Sequence, residues 1–285
     1  MSKVSHKCGP NGQEQDLAGK VAVITGITKG IGRAIAVNLA ARGCHILGTC
    51  TSTRSRPLID SLRMEIKTLY QDLDHEAPPI EDVILSLTDS NASQAIADAL
   101  LETFQGRVDI FVNNAAVVDR TPVGGLEAAR VANMCLGNIQ TPAMIIDELV
   151  QRRYFRPNSR IIFISSAEST RCAPEALMYA TTKAANEAMA RCYANAFGGR
   201  HAEFEFMAGT TANSLLTGLA DTPGPQQFGQ KAFEEFKDYW IPRQAIPRFA
   251  SPEDIADVVG LLCSREARWI TGSKVSANGG SIAIL

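Results

Sequence analysis

The sequence predicts a single α/β domain built on a doubly wound, parallel seven-stranded sheet with helices on both faces. From Lys20 onward, short β-rich runs alternate with longer amphipathic stretches, and several runs are apolar almost without a break, as strands covered on both faces are. A glycine-rich turn joins the first run to the first helical pattern. Repeated strand–helix alternation of this kind implies right-handed crossovers, which wind helices onto both faces. No linker or repeat interrupts the series, so residues 17–285 read as one domain. Residues 1–16 are polar and broken by Gly and Pro, and read as a flexible tail.

Strands are predicted at residues 21–25 (VAVIT), 45–50, 82–87, 108–114, 160–165, 202–207 (AEFEFM) and 274–278. In the first helix Ile31, Ile35 and Leu39 share a face, and Gly43 supplies the stop. Further helices are predicted over 57–70, 92–105, 126–152, 175–197 and 252–264. The last opens on Ser251-Pro252-Glu253-Asp254, an N-cap followed by proline and first-turn acids. From Ser214 to Arg248 the rhythm breaks, and the stretch carries Phe228, Phe233, Phe236, Tyr239 and Trp240. An insertion this long after a strand is expected to be a substrate lid, with an oligomer contact or simple core cover as the alternatives.

The net charge of −2 offers no electrostatic attraction for nucleic acid or an anionic membrane. Seven scattered cysteines with no C-x-x-C pair, and four histidines without ligand spacing, argue against a disulfide framework or a metal site. The N-terminus lacks the apolar core of a secretory signal, and no apolar run is long enough to span a bilayer. A soluble, cytoplasmic protein is expected.

Residues 25–32 read T-G-I-T-K-G-I-G. Between a strand and a helix, Gly26 can turn sharply, Gly30 can admit a pyrophosphate to the backbone, and Gly32 can let the helix pack on the sheet. The helix start then offers free N–H groups to phosphate, with Thr28 and Lys29 in the same turn. This is the pattern of a Rossmann-type dinucleotide site. Versions that bind NAD place an acid about twenty residues further on. Here the second strand ends T-C-T-S-T-R-S-R, with no acid before Asp60. Thr51, Ser52, Arg54 and Lys29 suit a 2′-phosphate instead, so NADP(H) is the expected cofactor, with only one of Arg54 and Arg56 engaged.

The chemical centre is expected in residues 165–183. Tyr179 and Lys183 are four apart and share a helical face. A free tyrosine ionises near pH 10, and a nearby ammonium favours the phenolate and so should lower that value. Such a pair can pass a proton to a carbonyl oxygen, to which Ser166 can also hydrogen-bond.

In order and spacing, T-G-I-T-K-G-I-G, N-N-A-A (113–116), Ser166, Tyr179 and Lys183 resemble the short-chain dehydrogenase/reductase family. The resemblance spans about residues 17–282, and the motifs most resemble NADPH-dependent 3-oxoacyl-carrier-protein reductases. It implies Tyr179 as proton donor, Lys183 as its partner that also holds the nicotinamide ribose, and Ser166 as the residue orienting the carbonyl. It further implies a backbone contact from Ile31 to the pyrophosphate, and Asn113 and Ala115 along the adenosine. Ser86 and Leu87 stand where an acid often contacts adenine. Ala208-Gly209 stands for the usual Pro-Gly after the sixth strand, which puts Gly209 and Thr211 near the nicotinamide. The family's catalytic asparagine lies three residues before a glycine; V-A-N-M-C-L-G puts Asn133 four before Gly137, and a local helix irregularity would restore it. The family commonly pairs through the helices near 126–152 and 175–197, so a homo-oligomer, dimer or tetramer, is expected.

The expected activity is NADPH-dependent reduction of a ketone, with a 3-oxoacyl, polyketide-like or cyclic substrate. A non-catalytic NADP(H) sensor, or a pocket reused for isomerisation, dehydration or cyclisation, are the rival readings. Glu168 and Arg171 either read a polar substrate or sit in an exposed loop, and Cys172 either lines the pocket or packs as a small residue.

Overall fold

The computed structural model describes residues 9–223 and 229–282. Seven strands form one all-parallel sheet in the order β3-β2-β1-β4-β5-β6-β7: β1 (Val21–Ile24), β2 (His45–Cys50), β3 (Ile80–Ile84), β4 (Val108–Asn113), β5 (Phe155–Ser166), β6 (Thr211–Thr217) and β7 (Lys274–Ala277). The chain winds outward from β1 to β3, then returns to start β4 beside β1. That reversal opens a crevice beyond the carboxyl ends of β1 and β4, where such sheets bind ligands.

Alternation along the strands explains their unbroken apolar sequence. Ala22 and Ile24 face a core with α1 (Gly30–Ala41), α2 (Arg56–Leu69) and α9 (Pro252–Cys263), to which Ile35, Leu39, Ile59 and Val259 belong. Val21 and Val23 face the other core, under α3 (Ala92–Phe104), α5 (Thr141–Gln151) and α7 (Leu177–Phe197). The predicted N-terminus of α9 is present as a capping box between Ser251 and Asp254.

Three expectations are corrected. Residues 202–207 are not a strand; Ala202–Met207 form tight helical turns in which Phe204 and Phe206 pack against the second core. The sixth strand is the polar-looking T-A-N-S-L-L-T, buried throughout. Its polar groups find partners: the Asn213 amide donates to Ile270 O (2.7 Å) and its oxygen accepts from Ser273 N (3.1 Å), while Thr217 donates to Ser165 O (3.1 Å). The helix expected over 126–152 is broken into α4 (Ala128–Cys135), one π-helical turn (Leu136–Gln140) and α5.

Nor is all of 1–16 a loose tail. Gln15 donates to Ala41 O (2.6 Å) and accepts from the Tyr70 hydroxyl (3.0 Å), and Asp16 takes a two-pronged bond from Arg42 (2.8 and 2.5 Å). Residues 1–8 lie outside the described residues, as do 224–228 with Phe228. No helix among the described residues is long and apolar enough to cross a membrane.

Candidate active site

The glycine turn is built by close backbone approach. Gly26 has φ +76°, and a Cβ on Gly32 would fall 2.0 Å from Gly26 O, so the head of α1 rests directly on the turn. Gly26 N donates to Thr49 Oγ1 (3.0 Å), tying the turn to β2. Asn114 ties it to β4: its amide donates to Thr25 O (2.9 Å) and Gly26 O (3.1 Å), while Thr25 Oγ1 accepts from Asn114 N (2.9 Å) and Ala115 N (3.0 Å). Sequence reasoning missed Thr25, Thr49 and Asn114, whose signal is only that hydroxyls and an amide stand at strand ends beside the glycines. Asn113 is buried, and its side-chain oxygen has no partner among the described residues. Lys29 is the N-cap of α1 with no side-chain cap bond, so nothing from the cap side chain closes the helix start.

Around this cradle lie the other expected contacts. Thr28, Gly30 and Ile31 line the turn and the start of α1. Thr51, Ser52 and Arg54 follow the carboxyl end of β2, and Lys29, Thr51, Arg54 and Arg56 are exposed. Ala115 faces Gly26, with its Cβ 3.1 Å from where a Gly26 Cβ would stand. Ser86 and Leu87 form the turn after β3, held by Ser86 N donating to Asp89 (2.6 Å) and by Thr141 donating to Leu87 O (2.6 Å).

The second half of the site comes from β5 and α7. Ser166 ends β5 and lies beside Tyr179, close enough to favour ionisation of the Tyr179 hydroxyl. Lys183, only 2% exposed, donates to Ile164 O (2.7 Å) and lies 5.7 Å from the Tyr179 ring centroid. Burial pushes the Tyr179 hydroxyl above its ordinary value; Ser166 opposes the shift and the Glu168 carboxylate adds to it. The expected lowering of the tyrosine by Lys183 is not found: the shift is upward, and only Ser166 acts against it. Burial also pushes Lys183 down to about 8.

One turn beyond Lys183, Glu187 is buried and fully engaged. It accepts from Ser165 (2.9 Å), from Ser169 and from Lys274 (2.7 Å). It thus pins both flanks of Ser166 to α7 and β7, a link invisible in the sequence because it joins four separate segments.

A family model described as Enoyl-(Acyl carrier protein) reductase matches residues 26–281. A short-chain dehydrogenase/reductase, FrzI of Cladobotryum sp, is 31% identical over 94% of this chain and 98% of its own length. The chain is a short-chain dehydrogenase/reductase. It is also 26% identical to the 3-oxoacyl-acyl-carrier-protein reductase FabG of Thermotoga maritima, over 93% of this chain and 99% of that one. Among solved structures it resembles the angucycline C-6 ketoreductase LanV with bound NADP (25% identity, TM-score 0.79, 93% of this chain and 96% of that one). A blue fluorescent protein from a metagenomic library in complex with NADPH is similar too (27% identity, TM-score 0.79, 94% and 100%).

Three expected site residues of this dehydrogenase/reductase lie elsewhere. Thr211 pairs with Arg160 in the middle of β5, whereas Ser166, at its carboxyl end, pairs with Thr217. Six residues of strand, about 20 Å, separate Thr211 and the preceding Gly209 from the catalytic end. The mislocated sixth strand caused that error. The segment that does follow β6 runs Gly218 to Thr222, and Thr222 Cγ2 lies 3.2 Å from where a Cβ on Gly30 would stand. Asn133 is exposed on α4 while its neighbour Met134 is buried. The helix irregularity exists, but it follows Asn133 and buries Asn138, which bonds both backbone groups of Val117 (2.7 and 2.8 Å) and Thr182 (3.2 Å).

Proposed function

We propose that this protein reduces a ketone to a secondary alcohol with NADPH. The observation that carries the reading is Ser166 at the end of β5 facing Tyr179, with buried Lys183 5.7 Å from the tyrosine ring centroid, at the same end of the sheet as the glycine cradle. The cradle fits a dinucleotide, since no cap side chain closes the start of α1 and the Asn113 oxygen has no partner among the described residues. Gly26, Thr28, Gly30, Ile31 and Gly32 would hold the pyrophosphate, and Lys29, Thr51, Ser52 and Arg54 the 2′-phosphate. Ser86, Leu87, Asn113 and Ala115 would border the adenosine, and Thr222 takes the place assigned to Thr211.

Bound there, NADPH supplies the hydride. Tyr179 donates its proton to the carbonyl oxygen, Ser166 donates a hydrogen bond to that oxygen, and the Lys183 ammonium stabilises the phenolate left behind. Because burial keeps Tyr179 protonated through neutral pH, the site is set as an acid, for reduction. The reverse reaction needs the phenolate and hence alkaline solution.

The test is NADPH consumption with 3-oxoacyl thioesters, polyketide-like ketones and cyclic ketones. Tyr179→Phe should lower kcat by about 10³-fold. Tight NADPH binding without turnover across the panel would instead support a sensor. Product formed with no net NADPH loss would support a reused pocket.

A further inference from the structure

The excursion after β6 is tied at its base. Ala220 and Ala250 form a parallel bridge, with Asp221 N donating to Ala250 O (2.9 Å) and Ala250 N donating to Leu219 O (2.8 Å). Within it, α8 (Gln230–Trp240) is anchored toward its start by Phe233 stacked on Phe249 at 5.3 Å. Its far end is held differently. The Arg171 guanidinium carbon lies 3.7 Å from the centroid of the Trp240 ring. Arg171 belongs to α6 (Glu168–Arg171), which begins two residues after Ser166.

Arg171 is itself fixed from below. It donates to Glu168 Oε2 (3.1 Å), and Glu168 Oε1 accepts from Ala173 N (2.7 Å). Glu168 N in turn donates to Ser166 Oγ (3.1 Å). The Arg171 and Glu168 side chains are only 12% and 13% exposed, so this pair is not one of the solvated surface pairs that contribute little. A planar guanidinium can lie flat on an indole and still donate along its edge to a carboxylate; an ammonium cannot do both.

We propose that Arg171 is the clamp of the substrate lid, holding the Trp240 end of α8 shut against the active-site loop and so determining which ketones are retained. The proposal rests on the ketone-reductase reading for what enters beneath the lid. The tied base at Ala220 and Ala250 acts as the fixed end, and the Arg171–Trp240 contact as the end that opens. An anionic substrate would compete with Glu168 for Arg171 and loosen the clamp, so neutral, largely apolar ketones are the class retained.

The chain has two tryptophans, and the other, Trp269, is 94% exposed. In a Trp269→Phe background, acrylamide quenching therefore reports on Trp240 alone, with no need for turnover. Arg171→Ala should raise the quenching constant about twofold or more, and raise KM for a neutral ketone about tenfold with kcat and NADPH affinity little changed. Arg171→Lys keeps a charge beside Glu168 but not the guanidinium over the ring, and should also expose Trp240. Should Arg171→Ala fail to fold, Arg171→Lys and Trp240→Ala carry the same KM comparison. Quenching that rises in an enzyme without ketone turnover supports the clamp and rejects the reductase reading. Unchanged quenching and KM in an active enzyme overturn the clamp.

Discussion

The Lys183 ammonium donates to the carbonyl oxygen of Ile164, on the strand that ends two residues later at Ser166. One strand therefore fixes both the serine and the lysine, and α7 carries Tyr179 one turn before Lys183. Burial depresses the Lys183 ammonium, and its bond to the Ile164 carbonyl makes it a charge held largely by a backbone dipole.

That placement sets a pH window. Reduction should decline as pH rises through about 8, where Lys183 loses its proton. Its value is depressed from 10.5, so between about 8 and 10.5 the unfolded chain binds more protons and folding stability gains with rising pH. Lys183→Met should abolish that gain, which denaturation midpoints on either side of the window would show. A gain that persists in the variant removes Lys183 as its source.

Gly32→Ala should destabilise the fold by about 2 kcal/mol or more, because the new methyl meets backbone rather than a movable side chain. NADPH binding should be lost with it. Urea midpoints and cofactor titration measure the two effects; an alanine accepted without cost would mean the head of α1 does not rest on Gly26.

Glu187→Ala should cost about 1–2 kcal/mol, since it removes the shared acceptor of Ser165 and Ser169 and the ion-pair partner of the part-exposed Lys274. Glu187→Gln keeps an acceptor for the serines and should cost less. If both variants unfold at the wild-type midpoint, the buried carboxylate is not bracing this end of β5.

Arg54→Ala should raise KM for NADPH about tenfold while leaving that for NADH nearly unchanged, because an ionic hydrogen bond to phosphate has no counterpart on a hydroxyl. Lys29→Ala should act in the same direction. A ratio of NADPH to NADH efficiency equal to wild type would take these cations out of the cofactor site.

Much of the fold was legible because its signals are local. The glycines of the first turn, the apolar runs of β1, β4 and β5, and the four-residue step from Tyr179 to Lys183 each lie within one short segment. The sixth strand was not legible. Asn213, Ser214 and Thr217 look like loop residues until Ile270 and Ser273 partner the first two from far along the chain, Thr271 accepts from Ala212 N, and Ser165 accepts from Thr217. The alternating Phe and Glu of residues 202–207 imitate a strand, yet the aromatic rings pack equally well from tight helical turns.

Residue order alone determined the doubly wound class and pointed to the glycine turn and the proposed Ser166, Tyr179 and Lys183 set, since periodicity and fixed spacing survive without any knowledge of neighbours. Only tertiary structure decided that Asn133 faces outward, that Glu187 braces the serine, and that Arg171 reaches Trp240. Those relationships join segments distant in sequence, and burial, which moves the Tyr179 and Lys183 protons, exists only once the chain has packed.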